Sequence, residues 1–205
     1  MIQAGLCKIE GFVKIHDPNT GEVLVDKKNA IHYENISIAM AETLSNRTLA
    51  QGGGWIYEMA FGNGGSAVDP TGVITYLPPN TTGQNADLYN ETYAKVVNDN
   101  SAADTDPTYN KMEVLHTSGN VYTDILVTCL LDYGEPAGQQ AFDNSTNFNG
   151  EYVFDELGLK SVSGSTSSLR LITHVIFHPV QKSLNRQIQI DYTLRIQTLT
   201  NLSAA

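Results

Sequence analysis

The stretch Arg186-Gln187-Ile188-Gln189-Ile190-Asp191-Tyr192-Thr193-Leu194-Arg195-Ile196-Gln197 alternates polar and apolar residues without a break. Successive side chains of a β-strand point to opposite faces. Ile188, Ile190, Tyr192, Leu194 and Ile196 therefore share one face, and Gln187, Gln189, Asp191, Thr193, Arg195 and Gln197 the other. Burying an apolar side chain is worth roughly 1.5–3 kcal/mol, so this face supplies on the order of 10 kcal/mol before entropy is subtracted. The strand is expected at the centre of the fold. Its polar face, with one Asp and one Arg, suits water or another subunit.

Working outward, residues 169–177 are mostly apolar and read as its partner strand. Residues 121–132 are apolar on both faces, as expected of a central strand covered on two sides, and Ser118-Gly119-Asn120 joins them to a strand at 112–115. A strand at 151–159 follows a polar loop over 134–150. Residues 55–61 read as a buried strand, with Trp55 expected inside. At the start, strands at 9–16 and 22–26 flank the turn residues Asp17-Pro18-Asn19-Thr20-Gly21. The single convincing helix spans 33–49, with Ile36, Met40, Thr43 and Leu44 on one stripe. Asn35 or Asn29 is expected to cap it, and Gln51-Gly52-Gly53-Gly54 to end it. These elements predict a mainly β fold: an antiparallel β-sandwich with one short α-helix, a single domain over 1–205. Residues 67–110, rich in Pro, Asn, Thr and Asp, are expected as a long loop excursion from that core.

The chain has 205 residues, 22 acidic and 12 basic, for a net charge of −10. Phosphate contacts need clustered Lys and Arg, so direct nucleic-acid binding is not expected. Cys7 and Cys129 form neither a Cys-x-x-Cys motif nor a disulfide framework and read as reduced, buried thiols. The N-terminal residues lack the pattern of a signal peptide, and no apolar run reaches the ~18 residues of a membrane span. A soluble chain made in a cytoplasm-like compartment is the expectation.

No motif carries recognisable chemistry. His174 and His178 lie four apart on one strand, on one face but roughly 13 Å apart at ~3.3 Å per residue, too far to share a metal ion directly. His16, His32 and His116 sit at element ends. Phe61-Gly62-Asn63-Gly64-Gly65-Ser66 resembles a phosphate-binding loop but lacks its Lys and following helix, so it reads as a sharp strand exit. Asp99, Asp104 and Asp106 with Asn98 and Asn100 lack the Gly and closing Glu of a hand-type calcium loop. Asp155-Glu156 is the one adjacent carboxylate pair in a strand, its members expected on opposite faces, and the Ser163-Gly164-Ser165 loop has no base partner. No catalytic residue, metal ligand or cofactor is assigned, and a non-enzymatic chain is expected.

The order of several segments resembles a family of tailed-bacteriophage virion structural proteins. They are Thr20-Gly21-Glu22-Val23-Leu24 and Lys28-Asn29-Ala30-Ile31, then the strand 56–61 ending in Gly62-Asn63-Gly64-Gly65. Asp155-Glu156-Leu157-Gly158-Leu159 follows, and Phe177-His178-Pro179-Val180-Gln181-Lys182 leads through Arg186 into the alternating strand. The resemblance implies a virion protein of the neck, collar, tail or baseplate, assembled in the host cytoplasm. Its partners would be further copies of itself, in a ring or fibre mount, and other virion proteins. A capsid decoration protein is one alternative. Another is a receptor- or carbohydrate-binding fibre module, in which Trp55, Tyr57, Tyr76 or Tyr89 would stack on sugar rings.

Overall fold

A computed structural model describes residues 6–44, 55–136, 153–162, 168–183 and 185–199. The protein is mainly β, and every strand pairing among the described residues is antiparallel. The alternating stretch forms the last strand, β12 (Ile188–Leu199), flanked by β1 (Leu6–His16) and β8 (Tyr122–Leu131). Ile190 pairs with Ile15 on one side and Cys129 on the other, and Tyr192 with Val13 and Val127, so apolar side chains line up across three strands. Ile188, Ile190, Tyr192 and Leu194 are all buried, as the alternation predicts.

Ten strands form one sheet. From one end it runs through β6 (Glu91–Val96), β3 (Ile56–Gly62), β9 (Val153–Val162) and β11 (Thr173–Gln181). It continues through β2 (Val23–Ile31), β1, β12 and β8 to β7 (Lys111–Leu115), while β10 (Leu169–Leu171) pairs with β9. Among the described residues the strand ladder between its halves consists of Thr173 with Ile31 and His174 with Ala30, and Lys27 Nζ of β2 also donates to Ile176 O of β11 at 2.7 Å. About this seam the sheet curls until its halves face each other, and one core holds Ile15, Leu131 and Ile190 of one half with Phe61, Leu157 and Phe177 of the other. The Phe61 and Phe154 rings lie 5.2 Å apart within it. The two sandwich layers are thus one continuous sheet.

Side chains close the far end of the curl. β8 outruns β7, and the backbone of Leu130 is met by Asn110 Oδ1, which accepts its N–H at 3.2 Å, and by Lys95 Nζ of β6, which donates to its carbonyl at 2.7 Å. β8 is therefore next to an edge rather than central, buried over its second half and partly exposed over its first.

Helix α1 (Tyr33–Leu44) packs Ile36, Ala39 and Met40 on the core, and the expected continuation to residue 49 lies outside the described residues. Neither asparagine caps it. His32 does: its carbonyl accepts Ile36 N–H, its ring Nδ1 accepts Asn35 N–H at 3.2 Å, and its Nε2 bonds Gly83 O. The imidazole supplies the acceptor that an N-cap side chain normally provides. In the first hairpin Asp17 Oδ1 accepts the N–H groups of Asn19 and Thr20, and Gly21 takes φ 74°, as a tight turn requires.

The segment 67–110 is more than a loop excursion. It contributes β6 to the main sheet and the short strand β5 (Ile74–Tyr76), which pairs with β4 (Ser66–Val68) as a separate hairpin. Leu88, Lys95, Val97 and Asn110 are buried. Its polar composition hides this anchoring because Lys95 and Asn110 do their work through buried hydrogen bonds.

Candidate functional site

The densest polar cluster forms where β9 passes under the glycine-rich exit of β3. Glu156, fully buried, accepts N–H groups from Gly64 at 3.0 Å and Asn90 at 2.8 Å on Oε1. On Oε2 it accepts Tyr89 N–H at 2.9 Å and faces His174 Nε2 at 3.0 Å. Asn80 N–H donates to His174 Nδ1 at 2.8 Å, so the proton of that ring sits on Nε2 and points at Glu156. Asp155 accepts Gly65 N–H on Oδ1 at 2.9 Å and both the N–H and hydroxyl of Ser66 on Oδ2. Adjacent carboxylates expected on opposite faces thus clamp one loop, which crosses the strand and offers donors to both.

The two acids respond differently to burial. Burial pushes Glu156 up, but the hydrogen bonds from His174, Asn90, Tyr89 and Gly64 outweigh it and hold the carboxyl below its usual 4.5. Burial raises Asp155 above 3.8 against the pull of Ser66 and Gly65, and the neighbouring Glu156 charge adds to the rise. Each Glu156 oxygen already takes two donors, so this carboxylate is filled as a structural anchor.

Glycines 62 and 64 are required by space. A Cβ on Gly62 would lie 2.5 Å from Asn90 O, and one on Gly64 2.7 Å from Asn90 N. The N–H groups of Gly64, Gly65 and Ser66 are spent on carboxylates and that of Asn63 on Asn90 O, which fits the sharp strand exit inferred from the missing Lys and helix.

The histidine pair separates. Between Ile176 and Val180 the β11–β9 register shifts, so β11 spends four steps where β9 spends two, from Glu156 to Phe154. This bulge breaks the period of two: His174 is buried, whereas His178 is exposed and meets Tyr76 Oη at 3.2 Å. In the acidic loop Asp104 Oδ1 accepts Asp106 N–H and the Asn110 amide, so the loop bonds to itself. Among the described residues no cluster of three or more His, Cys, Asp or Glu is placed to hold a metal. The serine loop at 163–167 lies outside the described residues.

Three buried lysines had no signal in the sequence. Lys160 bonds Asp87 at 2.8 Å and Glu91, which tie residues 87–91 to β9, and Lys95 bonds Glu135. Lys182, fully buried, donates to Ser183 O at 3.0 Å, and burial pushes its ammonium down to about 8.

Trp55, expected inside, is 47% exposed. It borders an apolar groove of about 540 Å³ between α1 and the β1, β12, β8 and β7 surface, where Met112, Val114, Ile125 and Ile196 are also open. Alternation could place Ile196 on the apolar face but not show that its end of the strand is left uncovered.

Cys129 is buried and its thiol pushed up to about 12 by burial, while Cys7, expected buried, is exposed. Only the thiolate reacts. Native protein should therefore take up one equivalent of Ellman's reagent, at Cys7, and a second only in denaturant; rapid modification of Cys129 in the native state would contradict its burial.

Comparison with protein-family models, with curated proteins and with solved structures finds no match to this chain.

Proposed function

We propose that this protein is a non-enzymatic structural component of a tailed-phage virion, part of the neck, collar, tail or baseplate, which assembles with copies of itself and other virion proteins. The observation that carries the reading is that three of the segments behind the resemblance, at 62–65, 155–159 and 177–182, meet in space. The Gly62–Gly65 exit sits on Asp155 and Glu156, and the Phe177-x-Pro179 bulge lies where β11 passes the same stretch of β9. β12, the last of these segments, forms the spine of the other half. Such a set specifies a frame, and variable contacts are left to surfaces outside it.

The outer face of β12 suits this role. Its charged groups have partners within the sheet: Arg195 is paired to Asp124 through two bonds of 2.8 Å, and Asp191 is hydrogen-bonded to His16 at 3.0 Å and accepts from Gln189 at 2.9 Å. A paired polar face can meet a neighbour without stranding a bare ion.

One observation favours a second reading, a receptor- or carbohydrate-binding fibre module. Trp55, Tyr76 and Tyr89 are exposed, at 47, 50 and 42%, and could stack on sugar rings. Gold-labelled antibody against the protein, imaged on purified particles, separates these readings. Label at the neck, tail or baseplate is expected; label over the whole head makes it a decoration protein, label at fibre tips a receptor-binding module, and unlabelled particles contradict the proposal.

A further inference from the structure

β7 ends the sheet, and among the described residues it has a strand neighbour on one side only, β8. A free edge offers unpaired backbone N–H and C=O groups to another chain, and proteins commonly guard it with charge, proline or a bulge. β7 has no proline, its register with β8 is unbroken over five residues, and its two charges, Lys111 and Glu113, neutralise each other at 3.2 Å. Val114 and Leu115 stand exposed beside them, Val114 at 72%.

We propose that two copies of this chain join through β7, antiparallel about a two-fold axis at Met112. Charge selects this register. Overlapping all five residues would set Glu113 against Glu113 of the second copy, and a slip that centres the axis on Lys111 would set lysine against lysine. With the axis at Met112, Lys111 of each copy faces Glu113 of the other, and each charge gains a second opposite neighbour beside its own partner within the strand. Like charges directly opposite are unfavourable across a sheet, and opposite charges are favourable. Copies of a chain with a net charge of −10 repel each other, so a contact that carries its own cation and anion in self-complementary order has a clear advantage.

The apolar side fits the same axis. Met112 and Val114 point into the groove beside Trp55, Ile125 and Ile196. Pairing at Met112 brings two such grooves edge to edge and covers side chains that are otherwise open. The contact is isologous: it closes at two subunits, and any ring must use other surfaces.

This inference rests on the self-assembly part of the proposed function, and the two can fail separately. Light scattering during size exclusion of the full chain tests it. The wild type should contain the dimer, while Lys111→Glu and Glu113→Lys, each of which sets like charges against each other, should associate more than about tenfold more weakly. Mixing the two variants should restore a heterodimer, because each then meets its opposite. Val114→Lys, at an exposed position outside the core, should also give monomer and keeps the test valid if a charge variant folds poorly. A monomeric wild type, variants that associate like wild type, or a mixture that stays monomeric would overturn the contact, whatever the gold labelling shows. Conversely, a dimer that behaves as expected from a protein never found in particles leaves the contact standing and the virion role refuted.

Discussion

Replacing Glu156 by Gln should lower the unfolding midpoint by roughly 6–20 °C. The amide keeps the size of the carboxylate but turns one oxygen into an NH2 group, which faces two donors it cannot accept. Whichever way it lies, it opposes either Gly64 and Asn90 N–H or Tyr89 N–H and His174 Nε2. Breaking a buried, hydrogen-bonded ionic network by removing one partner costs about 3–5 kcal/mol. In a chain of 150–250 residues each kcal/mol is worth roughly 2–4 °C. Calorimetry measures it directly, and a midpoint within a degree or two of wild type would show that the clamp does not hold the fold. The same residue gives a pH signature. Because its folded pKa lies below 4.5, the stabilisation from Glu156 is complete above pH 4.5 and is lost as pH falls through the lower folded value. Asp155, raised above 3.8, opposes this: its favourable contribution belongs to the acid form and fades as pH rises through its folded pKa. Glu156→Gln should therefore show a shallower loss of stability below pH 4.5 than wild type.

Deleting residues 71–103 should abolish folding. The deletion removes β6, the β3 partner at that end of the sheet, and with it the Lys95 bond to Leu130 O and the Asp87 and Glu91 partners of Lys160. Leaving Lys160 buried without a counter-ion costs about 3–5 kcal/mol, and losing Val97 and Leu88 from the core roughly 1.5–3 kcal/mol each, a total of the same size as the 5–15 kcal/mol by which a typical domain is stable. Circular dichroism and solubility of the deleted chain read this out. Replacing only the exposed turn at 69–72 of the β4–β5 hairpin by another two-strand turn should leave both unchanged. A deleted chain with a native spectrum and a sharp unfolding transition would return the segment to the status of a loop.

The fold was legible where side-chain period reports burial. The alternation from Ile188 to Leu194 placed the spine of the sheet, Pro18 and Gly21 placed the first turn, and Ile36 and Met40 placed the helix stripe. It was illegible where long-range contacts decide. His178 leaves the face of His174 because of a bulge set by β9, and Trp55 begins an apolar strand yet lies at a rim. Cys7 lies on an apolar-looking strand but is exposed near the start of β1. Asp155 and Glu156 were visible as a pair, and the glycine exit as a sharp turn, but nothing local shows that each answers the other across about ninety residues of chain. Two of the buried lysines were hidden for the same reason. Lys95 and Lys160 look like surface residues until the fold brings a carbonyl and carboxylates to them, and Lys182 is buried although its bond goes to the adjacent Ser183 carbonyl.

The measurement that bears most directly on the account is quantitative mass spectrometry of gradient-purified particles encoding this chain. If the protein is built into the virion, it co-purifies at a fixed ratio to the major structural proteins, and that ratio is unchanged by salt washing and repeated banding. Absence from the particles, or a ratio that falls towards zero with each round of purification, would contradict a structural role.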